Sequence, residues 1–232
     1  MEILEKIKNN IIVSLQAMPD EPLYNEICIN SMAESLINLG GIKALRLAGA
    51  RDIKNIKEKF PNIVVIGITK PNRIPDNYKE LVYITPNIKD CKEIIEAGAD
   101  IVALDGTMRK RPNDENLKDL LDYIKSKGKI AMADIATFEE AKNAYELGFD
   151  IVSTTLSGYT IETQNNPNTP DFELVKKIKK ELNIFTILEG KIWEKSEART
   201  AFESGADSVV IGSAITRPQL IAKRFMEVLK GN

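Results

Sequence analysis

The chain has 232 residues, with 32 Lys and Arg against 34 Asp and Glu, a formal net charge of −2, and no histidine. The near-balanced charge argues against a nucleic-acid partner or a polybasic membrane surface. Without histidine the chain lacks the commonest general base, the usual activator of Ser and Cys nucleophiles and the commonest transition-metal ligand, so proton transfer falls to Lys, Asp, Glu, Tyr or Cys.

At this length a sizeable core forms without disulfides, and with no linker or low-complexity tract we expect a single domain over 1–232. The opening "MEILEKIKNNIIVS" carries Glu2 and Glu5 where a secretion signal carries positive charge. No apolar run approaches bilayer length. Cys28 and Cys91 stand apart with no CxxC, which reads as reduced thiols packed in helices of a cytoplasmic protein.

Short Ile- and Val-rich runs recur along the chain. In order they are "IIVSL" (11–15), "KALRLA" (43–48), "IVVIGI" (63–68), "LVYIT" (81–85), "DIVALD" (100–105), "KIAMAD" (129–134), "DIVSTT" (150–155), "IFTILE" (184–189) and "SVVIG" (208–212). Most lack polar alternation, as strands buried on both faces of a parallel sheet do. Helical spacing fills most of the intervals. Three helices close on the same phrase, Gly98, Gly148 or Gly205 followed by Ala or Phe and then Asp, which opens the next strand. Such repetition marks βα units.

Nine runs exceed the eight strands of a closed barrel. The weak one is 81–85, preceded by a Pro-containing stretch with no helical period. Residues 71–86 therefore read as an excursion with a short extra strand, and helix 87–97 returns the chain to strand four. The sum is a (β/α)8 TIM barrel of the α/β class. An open doubly wound sheet is the runner-up, but "VSLQAMPDEPL" lacks the glycine-rich loop which that fold places after its first strand.

Barrel enzymes place their chemistry at the C-terminal ends of the strands. There stand Gln16, Arg46, Lys70, Asp105, Asp134, Thr154 with Thr155, Glu189, and Gly212 with Ser213. Any one of these could be an ordinary charged or polar loop residue; polar groups at the end of nearly every strand point to a site. "LEGKI" and "IGSAITRPQ" follow strands seven and eight, where barrels often hold a phosphate. Gly190 and Gly212 allow close approach of the backbone, while Ser213 and Arg217 supply donors. After strand six, "SGYT" (157–160) with Gly158 opens a long polar loop that reads equally as a lid or as a plain connection.

These stretches carry a resemblance. "IIVSLQAMPDEPLY", "LRLAG", "VIGITK", "GADIVALDGT", "MADIAT", "TTLSGYT", "LEGKI" and "GSAITRPQ" occur in the order found in the N-acetylmannosamine-6-phosphate 2-epimerases of bacterial sialic-acid catabolism. The resemblance spans nearly the whole chain. It implies a TIM barrel that interconverts two phosphorylated N-acetylamino sugars without metal or cofactor, a small-molecule partner only, and a homodimer. Three positions depart from the family's usual residues: Leu15 and Trp193 replace a cysteine and a histidine, and Ala48 replaces a polar residue.

Removing the C2 proton of the open-chain sugar leaves an enolate, which needs a base, donors at O1 and a phosphate anchor. The resemblance assigns the base to Lys70, its pKa lowered by desolvation and by Arg46. Glu189 is its carboxylate partner, and Gln16, Arg46 and Asp134 orient the sugar. Thr155, Gly158, Gly190, Gly212, Ser213 and Arg217 complete the binding set. A Schiff-base aldolase working through Lys70 and a non-catalytic sugar-phosphate-binding barrel are the alternatives.

Overall fold

In the computed structural model, which describes residues 2–230, eight parallel strands close into one barrel in sequence order. They are β1 (Ile11–Leu15), β2 (Ala44–Ala48), β3 (Val64–Ile68), β4 (Ile101–Asp105), β5 (Ile130–Asp134), β6 (Ile151–Ser153), β7 (Phe185–Glu189) and β8 (Ser208–Ile211). α1 (Glu2–Ile7) precedes the barrel. α2 (Glu26–Asn38), α3 (Ala50–Lys59), α4 (Ile88–Glu96), α5 (Leu117–Ser126), α6 (Phe138–Leu147), α7 (Phe172–Glu181) and α8 (Lys195–Glu203) lie between successive strands. A short α9 (Ser213–Thr216) and α10 (Pro218–Met226) follow β8. Cys28 falls in α2 and Cys91 in α4, as the sequence suggests.

Side chains alternate along each strand. Ile12, Ala44, Ile66, Ile101, Met132, Ile151, Ile187 and Val210 fill the barrel interior. Val13, Leu45, Val65, Val102, Ala131 and Val152 face the helices in a second apolar layer. Because both faces are buried, the strands read as unbroken apolar runs. Helix starts are set by side-chain caps: Asn25, Asn87 and Asn116 each accept a backbone N–H, and Thr137 forms a capping box with Glu140.

The repeated Gly–X–Asp phrase has a structural counterpart. Asp100, Asp150 and Asp207 each accept the backbone N–H of the preceding strand, from Val65, Ala131 and Thr186 at 2.8–2.9 Å. Each also donates its own N–H back to the carbonyl of that residue. A lysine from the helix before that strand completes the unit: Lys57, Lys125 and Lys179. The glycines ending α4, α6 and α8 have φ of 104°, 97° and 99°, a turn that glycine makes without a Cβ penalty. One staple thus recurs at the N-terminal ends of three strands.

Two expectations are corrected. Residues 81–85 form no strand. Ile84 and Thr85 instead wedge between β3 and β4, whose register pairs only Ile66 with Ile101 and Gly67 with Val102. Thr85 donates its N–H to the Thr69 carbonyl and Asp105 donates to the Ile84 carbonyl. A φ of 42° at Thr85 breaks any extended run there. Strand six ends at Ser153, because Thr154–Leu156 turn into a 3₁₀ helix that directs Thr155 toward β5 and β7.

Candidate active site

Arg46, Asp134 and Glu189 occupy inward positions near the C-terminal ends of β2, β5 and β7. Arg46 is fully buried and joins all three strands. Its Nη1 and Nη2 donate to Asp134 Oδ1 and Oδ2 at 2.9 and 2.6 Å, and Nη1 also donates to Glu189 Oε2 at 2.7 Å. The forked pair with Asp134 matches the planar geometries of guanidinium and carboxylate. Thr155 Oγ1 donates to Asp134 Oδ1 at 2.7 Å and lies 3.2 Å from Glu189 Oε2. Burial alone would lower the pKa of Arg46, but the two carboxylates outweigh it and hold the guanidinium charged. Burial pushes the Glu189 carboxyl above its usual range, with Asp134 acting in the same sense against Arg46 and Lys70.

Lys70 follows β3 and stands beside this cluster. Its Nζ donates to Gln16 Oε1 at 2.8 Å, and Gln16 Nε2 in turn donates to Ser14 Oγ at 2.8 Å. Burial, helped by the charge of Arg46, lowers the Lys70 pKa to about 8, against the opposing pull of Glu189 and Asp134. The ammonium therefore gives up its proton more readily than an ordinary lysine does.

A cavity of about 410 Å³ opens above these groups. Gln16, Lys70, Thr155, Glu189, Gly190, Gly212, Ser213 and Arg217 all line it. Gly190, at φ 110°, and Gly212 supply the exposed backbone of the loops after β7 and β8. Arg46 and Asp134 lie beneath the floor rather than on the wall and meet the cavity only through Glu189 and Thr155. Arg217 pairs with the carboxylate of Glu21, from the loop after β1.

Other residues enlarge or correct the set named from sequence. Lys191 lines the same end of the cavity. It adopts φ 63°, donates to the Pro167 carbonyl at 3.0 Å and sits 5.5 Å from the centre of the Tyr159 ring. Its place in "LEGKI", directly after Gly190, was the available signal. Gly158 is not on the cavity wall: its N–H is held by Thr163 Oγ1, and a Cβ there would collide with the Lys191 ammonium. Tyr83, brought in by the wedge, also lines the cavity, and burial followed by the charge of Asp105 raises its hydroxyl pKa to about 12. Asp105 is taken up elsewhere, by Arg109 and Thr107.

The departures from the family residues separate by location. Leu15 is buried in the layer between barrel and helices, a packing position. Trp193 is on the cavity wall, with Arg224 5.2 Å from its ring centre. Among the described residues, no group of three or more His, Cys, Asp and Glu side chains is placed to hold a metal ion.

Residues 29–231 match the family model described as "Putative N-acetylmannosamine-6-phosphate epimerase". The chain belongs to this family. Relatives described as "Putative N-acetylmannosamine-6-phosphate 2-epimerase" are 46% identical in Clostridium perfringens, over 98% of this chain and all of the relative, and 43% identical in Clostridioides difficile, over 99% and all of it. The solved structure of the N-acetylmannosamine-6-phosphate 2-epimerase from Clostridium perfringens superposes with a TM-score of 0.91 at 46% identity, covering 97% of this chain and 96% of that one. The site of this family member holds a lysine whose pKa is lowered to about 8, a carboxyl held above its usual range, and a cationic, glycine-lined end of the cavity.

Proposed function

We propose that this chain, as one barrel domain, interconverts N-acetylmannosamine 6-phosphate and N-acetylglucosamine 6-phosphate in amino-sugar and sialic-acid catabolism. The observation that carries this reading is Lys70, a lysine with its pKa pulled to about 8, in the same cavity as the glycine-rich loops after β7 and β8. The C2 proton becomes acidic only in the open-chain aldehyde. Neutral Lys70 removes it, negative charge develops on O1, and return of a proton to the opposite face of C2, as the enolate collapses back to the aldehyde, inverts that carbon. The Glu189 carboxyl serves the sugar oxygens, assisting ring opening and receiving or returning a proton there. Arg46 and Asp134 hold Glu189 and Thr155 in place. Gln16 orients the ammonium of Lys70.

Gly190, Gly212, Ser213 and Arg217 bind the phosphate, joined by Lys191, while Gly158 acts indirectly by leaving room for the Lys191 ammonium. The reaction is isomerisation at one carbon, so it needs neither an electron carrier nor a metal. No helix among the described residues is long and apolar enough to cross a membrane, and we place the enzyme in the cytoplasm with a small-molecule partner only. The homodimer implied by the family is supported by Phe225, Met226, Val228 and Leu229, which stay exposed at the C-terminal end of the chain.

The test is incubation with N-acetylmannosamine 6-phosphate in EDTA-containing buffer, followed by NMR of the sugar. Appearance of N-acetylglucosamine 6-phosphate supports the proposal. Cleavage of a carbon–carbon bond, or no change in the sugar, overturns it.

A further inference from the structure

Asp105 stands at the end of β4 among the strand-end groups, yet it does not line the cavity and the proposed chemistry leaves it unused. It is fully buried. Its Oδ1 accepts the N–H and the hydroxyl of Thr107, at 3.0 and 2.6 Å, and its Oδ2 accepts Arg109 Nη2 at 2.6 Å. Arg109 is itself largely buried. Its Nε donates to Thr107 Oγ1 at 3.0 Å and its Nη1 to the Lys79 carbonyl at 2.9 Å, so each guanidinium nitrogen has a partner. A carboxylate and a guanidinium withdrawn from water and fully paired hold one geometry, because displacing either leaves a buried charge unpaired.

The pair grips a loop. Residues 69–87 join β3 to α4 with neither helix nor strand, a longer irregular connection than most in a compact domain. Arg109 holds this loop at Lys79. Arg111, also buried, holds it at the Pro86 carbonyl, at 3.4 Å, while donating to the Asp105 carbonyl. Between the two grips lies Tyr83, on the cavity wall and edge-on to the ring of Tyr78. A second loop attaches at the same point. The Lys79 carbonyl accepts the Ile161 N–H at 3.3 Å, and Lys79 Nζ donates to Gln164 Oε1 at 3.4 Å. Ile161 and Gln164 belong to the loop after β6, which brings Tyr159 to the cavity wall beside Gly190 and Lys191.

We infer that Arg109, held by Asp105, is a positioning residue of the site: it fixes the Lys79 carbonyl at which the two loops join, and through them the Tyr83 and Tyr159 rings that wall the cavity. Neither charged group touches the reacting atoms. Their effect on the reaction passes through the shape of the wall, and a small displacement of groups that position a substrate is costly. The inference rests on the proposed epimerase reading and adds a control point outside the cavity.

Arg109→Lys keeps the charge that Asp105 requires but loses the planar fork that reaches Thr107, Asp105 and Lys79 together. The experiment combines steady-state kinetics on N-acetylmannosamine 6-phosphate with native-state hydrogen exchange read by mass spectrometry. It compares the wild type, Arg109→Lys and Asp207→Ala, the last a change at the far end of the barrel that touches neither loop. Arg109→Lys should raise KM about 3–10-fold and speed exchange in both 76–86 and 157–166, with the strands unchanged. Asp207→Ala should leave KM and both loops as in the wild type. KM does not depend on how much of a preparation folds. If Arg109→Lys folds poorly, Asp105→Asn, close to isosteric, frees Arg109 from the other side and gives the same two readings. A KM within about twofold of the wild type, a rise in KM that Asp207→Ala matches, or exchange unchanged in either loop would overturn the inference. A wild type inactive on the sugar phosphate would overturn the epimerase reading, while exchange, which needs no substrate, would still decide whether Arg109 joins the loops.

Discussion

Arg46 and Asp134, 88 residues apart in sequence, meet in a double hydrogen bond under the cavity floor, at 2.9 and 2.6 Å, with neither side chain open to solvent. Glu189 completes the triad at 2.7 Å. The pair is structural and electrostatic at once, because it locks β2 to β5 and sets the charge felt by Lys70 and Glu189.

Asp134→Ala should therefore destabilise the protein by about 3–5 kcal/mol, since it leaves a guanidinium buried with only Glu189 to balance it. Arg46→Lys keeps the charge but loses the fork, and should lower both stability and kcat. Chemical denaturation read by circular dichroism gives the first figure. An Asp134→Ala variant as stable as the wild type would mean that water reaches the pair.

Turnover in D₂O should place deuterium at C2 of the product, because the Lys70 ammonium exchanges with solvent between half-reactions. Lys70→Met should abolish both epimerisation and wash-in, a loss of about 10²–10⁴-fold or more. Glu189→Gln should epimerise slowly yet retain C2 exchange. Retained exchange in Lys70→Met, together with its loss in Glu189→Gln, would transfer the role of base to the glutamate.

Only the neutral amine of Lys70 accepts a proton. Its pKa is lowered from the ordinary lysine value to about 8, so kcat/KM should rise with pH through about 8 and fall away below it. Initial rates across pH 6–9 measure this limb. A flat profile through that range would separate Lys70 from the rate-limiting proton transfer.

Arg217→Ala should raise KM for the phosphorylated sugar with little change in kcat, through loss of a charge-assisted contact of about 1.5–3 kcal/mol. Lys191→Ala should act in the same direction. In the structure both cations already have protein partners, Glu21 for Arg217 and the Pro167 carbonyl for Lys191, and a phosphate bound by them as proposed would compete with those contacts. Steady-state kinetics of both variants distinguish binding from chemistry, and an unchanged KM removes the residue from the phosphate site.

Asp207 holds the Thr186 N–H and the Lys179 ammonium at the end of the barrel opposite the cavity. Asp207→Ala leaves that N–H unpaired and should lower stability by about 1–3 kcal/mol while kcat stays near the wild-type value. A thermal melt alongside an activity assay tests both halves, and a selective fall in kcat would contradict the structural role.

The sequence by itself determined the eight-strand repeat and the C-terminal-end position of the site. Strands buried on both faces must be apolar throughout, and the Gly–X–Asp staple recurs where α4, α6 and α8 hand over to a strand. The identities of Lys70, Arg46, Asp134 and Glu189 as strand-end groups were legible for the same reason: position along a barrel strand dictates which end of the barrel a residue occupies. Tertiary structure alone decided how those groups partner. Spacing along the chain carries no record that Arg46 bridges to Asp134 and Glu189, that Asp105 is drawn off by Arg109, or that Gly158 makes room for Lys191. Residues 81–85 show the limit clearly. Their composition favours a strand, but a positive φ at Thr85 and the gap between β3 and β4 turn them into a wedge that carries Tyr83 to the cavity. Burial and pairing depend on neighbours distant in sequence, and those neighbours exist only once the barrel has closed.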